Sequence, residues 1–429
     1  MKKNEIKYKI DVLVVGGGGR EHAIVHKLSQ SPRVNKLYAS PGNAGIAMLA
    51  ELLPYKATDI QNIVQAAIDL AIDLVFVATD DPLALGMVDA LNKAGIRAFG
   101  PTAKAARLEG SKVFSKGLMK KYNIPTADYE TFSDPVDAAD YIKNKNTYPL
   151  FIKADGLAVG KGAVRVDNFD EATDTINSIM NDKIFGESGN NIVIEEFLTG
   201  PELTILSFTD GKTVVPMVSS QDHKQVYDGD KGPNTGGMGA FSPVAFYTDE
   251  LAERCMEEVF IPTINAMNEE DSTFKGVIYF QLMITADGPK VIEYNARFGD
   301  PEAQVVLPRL KTDFVDIIDA VIDGKLDEID IEWYDKASAC VVMASHGYPV
   351  KYDTGFEITG IDSFDNCADI IVYHAGTKLT DGKYVTAGGR VLCVTALADN
   401  LSDAIDKAYE SVTKINFKDA HYRTDIGKK

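Results

Sequence analysis

The sequence DVLVVGGGGREHAIVHKLSQ, residues 11–30, contains a strand, a glycine turn and a helix in immediate succession. Asp11–Val15 is an apolar run with the length of a buried strand, and Arg20–Gln30 carries its apolar residues at helical spacing. Between them, Gly16–Gly19 allow a sharp change of chain direction. We therefore predict that the chain starts with a strand–turn–helix unit of an α/β fold.

The alternation of strand and helix continues through the first 100 residues. Helices are predicted from Thr58 to Leu70 and over Pro82–Ala94, and strands at Val34–Ser40, Leu74–Ala78 and Ile96–Gly100. Because apolar strands that alternate with helices form parallel sheets, this region is predicted to be a parallel sheet covered by helices.

The middle of the chain contains a predicted hairpin, in which strands Pro149–Ala154 and Ala163–Asp167 flank the glycine-rich loop Asp155–Gly162. The other elements predicted there are helices at Ser111–Tyr122, Asp134–Lys145 and Phe169–Met180, and strands at Asn191–Leu198, Leu203–Thr209, Thr213–Ser219, Gly276–Thr285 and Lys290–Asn295. The polar segment Ser220–Pro243 shows no periodicity, and we interpret it as a functional loop.

A third region begins near Ile331. Its predicted elements are strands Ser338–Ala344, Ile370–His374 and Arg390–Ala396 and a final helix Leu401–Ile415. The whole chain of 429 residues has the length of two to four domains, at about 150 residues for each domain.

The composition excludes several classes of protein. Lys and Arg total 44 against 63 Asp and Glu, so the net charge is −19, which disfavours binding to nucleic acid or to an anionic membrane. The N-terminal apolar run is too short for a signal peptide, and no stretch is long and apolar enough for a membrane span. The four cysteines form no CxxC pair, which indicates reduced thiols. We expect a cytoplasmic protein.

The first candidate site is the glycine turn Gly16–Gly19 at the start of a helix, where backbone N–H groups can bind an anion. The dinucleotide fingerprint fails, because Glu21 stands where close packing needs Gly or Ala. In addition, Ser40-Pro41-Gly42 follows the second strand in place of a ribose-binding acid. A phosphate or phosphosugar site and a plain tight turn both remain open.

Two further motifs carry candidate chemistry. Lys153 and Lys161 flank the glycine-rich hairpin tip, as a polyphosphate site requires, although a solvated hairpin has the same composition. Glu293, Asn295 and Arg297 share one face of a strand, which suits Mg²⁺ beside an anionic substrate, although a solvated strand end is equally compatible.

Eight motifs in this order make the chain resemble the phosphoribosylamine–glycine ligase family from Asp11 to Gly427. They are Gly18-Gly-Arg-Glu-His22, Pro41-Gly-Asn-Ala-Gly45, Glu109-Gly-Ser-Lys112, Ile152-Lys-Ala-Asp-Gly-Leu, Ser220-Gln-Asp-His-Lys224, Gly232-Pro-Asn-Thr-Gly-Gly-Met-Gly239, Arg297-Phe-Gly-Asp-Pro-Glu302 and His374-Ala-Gly-Thr377. Each motif is weak alone, and eight in order are highly specific.

The resemblance implies an ATP-grasp fold, α/β overall with α+β grasp lobes. It implies an N-terminal Rossmann-like substrate domain at 1–107 and a small C-terminal α/β domain at 331–429. The ATP-grasp region spans 108–330, with a small mobile lobe at about 124–193 and a larger lobe at about 194–330. Because the chain ends where single-function members of the family end, we expect no fused domain for a later step.

The resemblance also implies the ligands of individual residues. ATP, with Mg²⁺ or alternatively Mn²⁺, is expected to contact Lys112, Lys153, Gly156, Gly160, Lys161, Gly162, Glu195, Glu196, Phe197, Leu198 and Glu202, and the metal Glu293 and Asn295. Glycine and 5-phosphoribosylamine are expected to contact Gly18, Gly19, Arg20, Glu21, Asn43, Asp80, Asp222, Lys224, Asn234, Arg297, Gly299 and Asp300. Arg297, Asp222 and Lys153 are the expected catalytic residues.

Two positions depart from the family's usual pattern. Asp80 stands where the family has a longer acid, and Gln281 offers a neutral oxygen where many ATP-grasp enzymes have an acidic metal ligand.

The implied activity is ATP-dependent ligation of glycine to phosphoribosylamine in de novo purine biosynthesis, through glycyl phosphate, by a monomer or alternatively a dimer. The other hypotheses are an ATP-grasp ligase or carboxylase for another acid and amine, a nucleotide-binding regulator without turnover and, more distantly, a dehydrogenase.

Overall fold

The computed structural model describes residues 9–157, 162–364 and 367–428. Residues 9–110 form the predicted strand–helix alternation. The strands are β1 (Ile10–Gly16), β2 (Val34–Pro41), β3 (Glu51–Leu52), β4 (Leu74–Val77) and β5 (Arg97–Phe99), and the helices are α1 (Gly19–Ser29), α2 (Ile60–Asp69), α3 (Asp80–Ala84), α4 (Met87–Lys93) and α5 (Ala103–Gly110). All strand pairs are parallel, in the order β3-β2-β1-β4-β5.

This strand order positions the first part of the site. The chain leaves β1 towards β2 on one side and later returns to β4 on the other, so the turns after β1 and β4 lie together at the carboxyl edge. The single helix predicted over Pro82–Ala94 is wrong, because Gly86 adopts φ +85° and divides it into α3 and α4.

The next unit is a four-stranded antiparallel sheet with helices on it. It contains α6 (Lys112–Lys121), β6 (Tyr129–Phe132), α7 (Pro135–Lys145), β7 (Leu150–Ala154), β8 (Ala163–Val166), α8 (Phe169–Ile176), a π-helical turn (Asn177–Asn181) and β9 (Ile192–Glu196). The strand order is β6-β9-β7-β8, and the antiparallel pairing of β7 with β8 confirms the predicted hairpin. This sheet has its own apolar core, which includes Ile152, Ile176 and Ile194.

A second antiparallel sheet follows. The elements from here to residue 295 are β10 (Glu202–Thr209), β11 (Val214–Pro216), β12 (Gln221–Asp222), β13 (Gln225–Tyr227), β14 (Lys231–Asn234), β15 (Gly239–Ser242), α9 (Asp249–Cys255), a π-helical turn (Met256–Phe260), α10 (Ile261–Glu269), β16 (Gly276–Thr285) and β17 (Gly288–Asn295). Four of these strands form the sheet β11-β10-β16-β17.

The polar segment Ser220–Pro243, interpreted from the sequence as a loop, contains the four short strands β12 to β15. Strands β13 and β14 form a small hairpin, and β15 pairs with a C-terminal strand. Strands of two to four residues are too short to show the alternation by which a strand is recognised.

The last part of the chain adds α11 (Ala303–Val306), α12 (Phe314–Asp323), β18 (Ala337–Ala344), β19 (Ile370–His374), β20 (Thr377–Thr380), β21 (Lys383–Thr386), β22 (Arg390–Ala398) and α13 (Leu401–Val412). Its main sheet has the order β12-β15-β18-β22-β19, so strands of the polar segment are built into it. Within the described ranges, no helix combines the length and the apolar character that crossing a membrane requires.

Candidate active site

The segment after β17 connects the edges of the sheets. Phe298 is 1% exposed and packs in the core against Phe76, Phe208 and Phe314, at ring-centroid distances of 6.4, 6.1 and 6.1 Å. An aromatic side chain that is held on several sides fixes the backbone that carries it. The polar residues that flank Phe298 therefore occupy defined positions beside the N-terminal sheet.

Arg297 lies at the centre of a charged cluster. Its Nη2 is 2.9 Å from Glu109 Oε1 and donates to Asn295 Oδ1 at 3.1 Å. Burial opposes its charge, but Glu109 and Asp80 raise the pKa of Arg297 above its usual range. Its Nε atom is buried and has no hydrogen-bond partner among the described residues, so this N–H is available to an anionic ligand.

Asp80 belongs to the same cluster, although it is a shorter acid than the family's usual residue. Burial would raise the pKa of Asp80, yet Arg297 and Arg20 lower it below its ordinary value. For Glu109, burial outweighs Arg297 and raises the pKa. The turn after β4 therefore presents an ionised carboxylate to two arginines.

Glu21, which breaks the dinucleotide fingerprint, caps α1. Its Oε2 accepts the N–H of Gly18 at 2.5 Å, and its Oε1 pairs with Arg20 Nε at 2.6 Å. Gly16 has φ +133°, and a Cβ atom there would lie 2.4 Å from Glu21 Cγ. The carboxylate thus occupies the space beside the glycine turn and satisfies one of its N–H groups.

Asn43 holds the glycine turn against the C-terminal region. Its Nδ2 donates to the carbonyl oxygens of Gly17 at 2.9 Å and His374 at 2.8 Å. Its Oδ1 accepts the N–H groups of Gly45 and Ile46. Both polar atoms are engaged within the protein, so we interpret Asn43 as a positioning residue, and its substrate contact stays a prediction.

The predicted metal ligands Glu293 and Asn295 lie two residues apart on β17. In the described part of the chain, no hydrogen bond or ion pair engages the Glu293 carboxylate. Burial would raise its pKa, but Lys224, Lys112 and other cations lower it. Gln281, opposite Glu293 on β16, has a buried Oε1 without a hydrogen-bond partner among the described residues.

These donors fit a magnesium ion, because Mg²⁺ prefers hard oxygen ligands and usually keeps several water or phosphate ligands. No group of three or more His, Cys, Asp or Glu residues with metal-binding geometry exists in the ranges that the structure describes. A cation held by Glu293 and Asn295 would therefore complete its coordination with substrate phosphates and water.

A buried carboxylate on β9 joins one lysine of α6 and one lysine of β7. Glu195 Oε2 lies 2.9 Å from Lys153 Nζ and 3.1 Å from Lys116 Nζ. Burial would raise the pKa of Glu195, but the two ammonium groups lower it. Burial lowers the pKa of Lys116 to about 8, against the opposing effect of Glu195. Sequence reasoning missed Lys116, whose only signal is its position one helical turn after Lys112.

Several other residues that are expected to bind ATP have contacts within the protein. Lys112 Nζ donates to the Gly156 carbonyl at 3.2 Å, and Gly162 accepts the Ala154 N–H at 2.8 Å. At the end of β9, Glu196 lies 3.3 Å from Lys290. The next residue, Phe197, stacks on Phe151 at 5.8 Å between ring centroids, and Leu198 follows in the chain. Gly160 and Lys161 lie outside the described residues.

The Lys224 ammonium group, in the polar segment, interacts electrostatically with Glu293, one of the predicted metal ligands. Burial would lower its pKa, but Asp222, Glu202, Glu293 and Glu302 raise it. Burial raises the pKa of Asp222 to about 8, although Lys224 opposes this. Glu202 also accepts a hydrogen bond from Gln281 Nε2 at 2.9 Å, and Asn234 pairs with Gln225 in the β13–β14 hairpin.

Glu302 is a further acid that sequence reasoning did not select. Its Oε1 accepts a hydrogen bond from Tyr279 OH at 2.8 Å, and a Cβ atom on Gly299 would lie 2.3 Å from its Oε2. Gly299 therefore gives Glu302 the space to approach the backbone. Asp300 pairs with Arg390 at 2.8 Å, a contact across the chain that no local motif indicates.

Two buried histidines at the junction of α1 and β19 predict a pH dependence of stability. His374 N–H donates to His22 Nδ1 at 2.8 Å. Burial, together with neighbouring His374 and His26, lowers the pKa of His22, and burial lowers the pKa of His374 to about 4. In the unfolded chain these histidines become protonated near pH 6.5, whereas in the folded chain they become protonated only at lower pH.

We therefore expect the free energy of unfolding to fall as the pH decreases from 6.5 towards 4, by at most about 1.4 kcal/mol per pH unit for each histidine. Urea unfolding across this range measures the slope. His374→Gln should make the slope shallower, whereas the control His346→Gln, at an exposed position, should leave it unchanged. An unaltered slope in His374→Gln would contradict this explanation.

Comparison with known proteins identifies the family of this chain. The models of the N, ATP-grasp (A) and C domains of phosphoribosylglycinamide synthetase match residues 10–109, 110–303 and 338–429. The phosphoribosylamine–glycine ligase of Clostridium acetobutylicum is 48% identical over 417 residues, which cover 97% of this chain and 99% of that protein. The ligase of Caldanaerobacter subterraneus subsp. tengcongensis is 47% identical over 415 residues, which cover 97% and 99%.

Solved structures support the same assignment. A crystal structure of phosphoribosylamine–glycine ligase from Thermotoga maritima matches with a TM-score of 0.86 at 32% identity and covers 97% of this chain and 100% of that chain. A biotin carboxylase from Campylobacter jejuni matches with a TM-score of 0.74 at 15% identity over 97% and 93%, and shares the fold. The expected ATP-grasp fold is confirmed. This chain belongs to the phosphoribosylamine–glycine ligase family, the phosphoribosylglycinamide synthetases.

Proposed function

We propose that this chain ligates glycine to 5-phosphoribosylamine at the expense of ATP, giving glycinamide ribonucleotide, ADP and phosphate in de novo purine biosynthesis. The observation that carries the proposal is one continuous charged region. It begins at the pair of Lys153 with Glu195, continues through Glu293, Asn295 and Arg297, and ends at the turn of Asp80 at the edge of the N-terminal sheet. Such a region suits the binding of a nucleoside triphosphate, a small carboxylate and a sugar phosphate.

The chemistry consists of two displacements. A carboxylate oxygen of glycine forms a bond to the γ-phosphorus of ATP, the bond from that phosphorus to the β–γ bridging oxygen breaks, and ADP leaves. The amine nitrogen of phosphoribosylamine then forms a bond to the acyl carbon. The bond from that carbon to the phosphate oxygen breaks, phosphate leaves, and the nitrogen loses a proton.

The protein contributes binding, orientation and charge to these steps. Lys112 and Lys153 bind the ATP phosphates as point charges, and Glu195 holds Lys153 in place. Mg²⁺, or alternatively Mn²⁺, held by Glu293 and Asn295, supplies charge neutralisation on the phosphate oxygens. The free Nε of Arg297 orients the glycine carboxylate, since guanidinium groups bind carboxylates strongly.

The acyl phosphate hydrolyses readily, so the site must exclude water. We propose that the loop Asp155–Gly162 covers the phosphates during turnover. Its first residue is fixed to α6, because Asp155 Oδ1 accepts hydrogen bonds from Ser111 Oγ at 3.0 Å and from the Val113 N–H at 3.1 Å. These bonds give the loop a firm base beside Lys112.

A substrate-dependence assay tests the proposal. ADP release should reach its full rate only when both glycine and phosphoribosylamine are present. Mass spectrometry should identify the organic product as glycinamide ribonucleotide. Faster turnover with another acid and amine would replace this function with that of a different ligase. Binding of ATP without ADP release under any substrate pair would indicate a regulatory protein.

We further propose that the enzyme acts in the cytoplasm as a monomer. Light scattering coupled to size-exclusion chromatography should give a mass near 46.7 kDa. Twice that mass would establish the dimer instead.

A further inference from the structure

Arg390, the first residue of β22, contacts two loops of the candidate active site. Its Nη2 is 2.8 Å from Asp300 Oδ2, and its Nη1 donates to the Asp300 carbonyl at 2.7 Å. The same Nη1 also donates to the carbonyl of Gly236 at 2.6 Å and, at 3.4 Å, to that of Gly237. One guanidinium group therefore bonds the loop after β17 and the loop before β15.

The first of these loops carries the Asp300 carboxylate to the glycine turn. Asp300 Oδ1 accepts a hydrogen bond from Gln304 Nε2 at 2.7 Å, so each carboxylate oxygen has a fixed donor. Cβ atoms built on Gly18 and Gly19 would lie 3.4 and 3.5 Å from the two carboxylate oxygens. The carboxylate thus lies directly beside the glycine turn, at van der Waals distance from these Cβ positions.

The second loop packs as tightly. A Cβ atom on Gly236 would lie 3.0 Å from Arg390 Cζ, so the guanidinium rests against the Gly236 backbone. Gly237 has φ +111°, and its Cβ would lie 2.4 Å from Pro301 Cδ. The loop before β15, which follows the predicted substrate residue Asn234, is therefore held against Asp300–Pro301 through Arg390.

We infer that Arg390 is a positioning residue for the phosphoribosylamine half of the site. It fixes the Asp300 carboxylate beside the glycine turn and fixes the Gly236–Gly237 backbone beside Asp300. This arrangement suits recognition of a polyhydroxylated sugar phosphate. The inference rests on the proposed function. Among the described residues, no hydrogen bond or ion pair joins Arg390 to Lys116, Lys153 or Glu195, so ATP binding should not depend on Arg390.

Arg390→Lys tests the inference, because lysine keeps the charge but cannot make the forked contacts with Asp300 and Gly236. We expect the KM for phosphoribosylamine to rise about tenfold, as for loss of a charge-assisted hydrogen bond, with the KM values for ATP and glycine changed by less than about twofold. The control is Arg309→Lys. Arg390 is half-buried and Arg309 is buried, and the Arg309 guanidinium donates to Ser242, outside the candidate site.

Gly236→Ala supplies a second perturbation that keeps Arg390 itself. Gly236 is exposed and has no unusual φ, so the variant should fold, while its Cβ displaces the guanidinium. It should raise the same KM selectively. In a double-mutant cycle, Arg390→Lys combined with Asp300→Asn should lose no more than the worse single variant if Arg390 acts through Asp300.

The outcomes separate this inference from the proposed function. A wild-type enzyme that fails to make glycinamide ribonucleotide refutes the function. With an active wild type, equal changes in all three KM values, or a loss of thermal stability alone as in Arg309→Lys, would overturn the role of Arg390. If Arg390→Lys does not fold, Gly236→Ala decides: an unchanged KM for phosphoribosylamine overturns the inference, and a selective rise supports it.

Discussion

Glu293→Gln is expected to reduce turnover by about a thousandfold while the protein stays folded, since loss of metal-assisted charge stabilisation costs several kcal/mol in the barrier. Glutamine has the size of glutamate but lacks the charge that pairs with Mg²⁺. In the folded protein the Glu293 carboxylate stays ionised, because the surrounding lysines lower its pKa. The substitution should also raise the Mg²⁺ concentration needed for half-maximal activity.

The measurement is kcat as a function of Mg²⁺ concentration, with circular dichroism to confirm folding. Glu332→Gln is a matched control, since Glu332 is exposed, pairs with Lys311 and is not a residue of the candidate site. The control should behave as the wild type. Near-normal activity of Glu293→Gln at ordinary Mg²⁺ concentrations would remove Glu293 from the metal site.

Lys153→Ala should weaken MgATP binding by about a hundredfold and leave adenosine binding nearly unchanged, because adenosine has no phosphates for the lost, desolvated ammonium to bind. The Lys153 ammonium is buried and bonded to Glu195 at 2.9 Å. Its removal leaves Glu195 with Lys116 as its remaining cation, so the local charge becomes less favourable for phosphate by one unit.

Calorimetric titration with MgATP and with adenosine measures the two affinities. Lys121→Ala provides the control, since Lys121 lies on the same helix as Lys112 but pairs with Glu270 on the surface. It should bind both ligands as the wild type does. Equal losses for MgATP and adenosine in Lys153→Ala would mean that the lysine acts through the fold.

The local patterns of the sequence predict much of the scaffold. The apolar runs of β1 and β4, each followed by a helix, predict the parallel sheet, and the hairpin of β7 and β8 follows from its glycine-rich tip. The period of two in β17 places Glu293 and Asn295 on one face. These predictions succeed because each depends on residues that are adjacent in the chain.

Other parts of the site depend on contacts that no local pattern contains. Arg390 meets Asp300 across 90 residues, and Lys116 is placed beside Glu195 only when α6 packs against β9. The sequence predicts that Glu195 contacts ATP but gives no sign that its side chain is bonded to two lysines. Long-range ion pairs of this kind become visible only in the folded structure.

Family membership supports the activity, and the geometry of the site supports the proposed mechanism. In this mechanism, a glycine carboxylate oxygen becomes bonded to the γ-phosphorus. Arg297, with its free Nε beside the metal ligands, has the position to orient that carboxylate.

Oxygen labelling tests this claim most directly. Glycine with ¹⁸O in both carboxylate oxygens is incubated with the enzyme, MgATP and phosphoribosylamine, and the released phosphate is analysed by mass spectrometry. Because the acyl phosphate breaks between the acyl carbon and the bridging oxygen, the account predicts one ¹⁸O atom in each phosphate released and one retained in the amide product. Unlabelled phosphate, with the second label released into water, would contradict the acyl-phosphate mechanism.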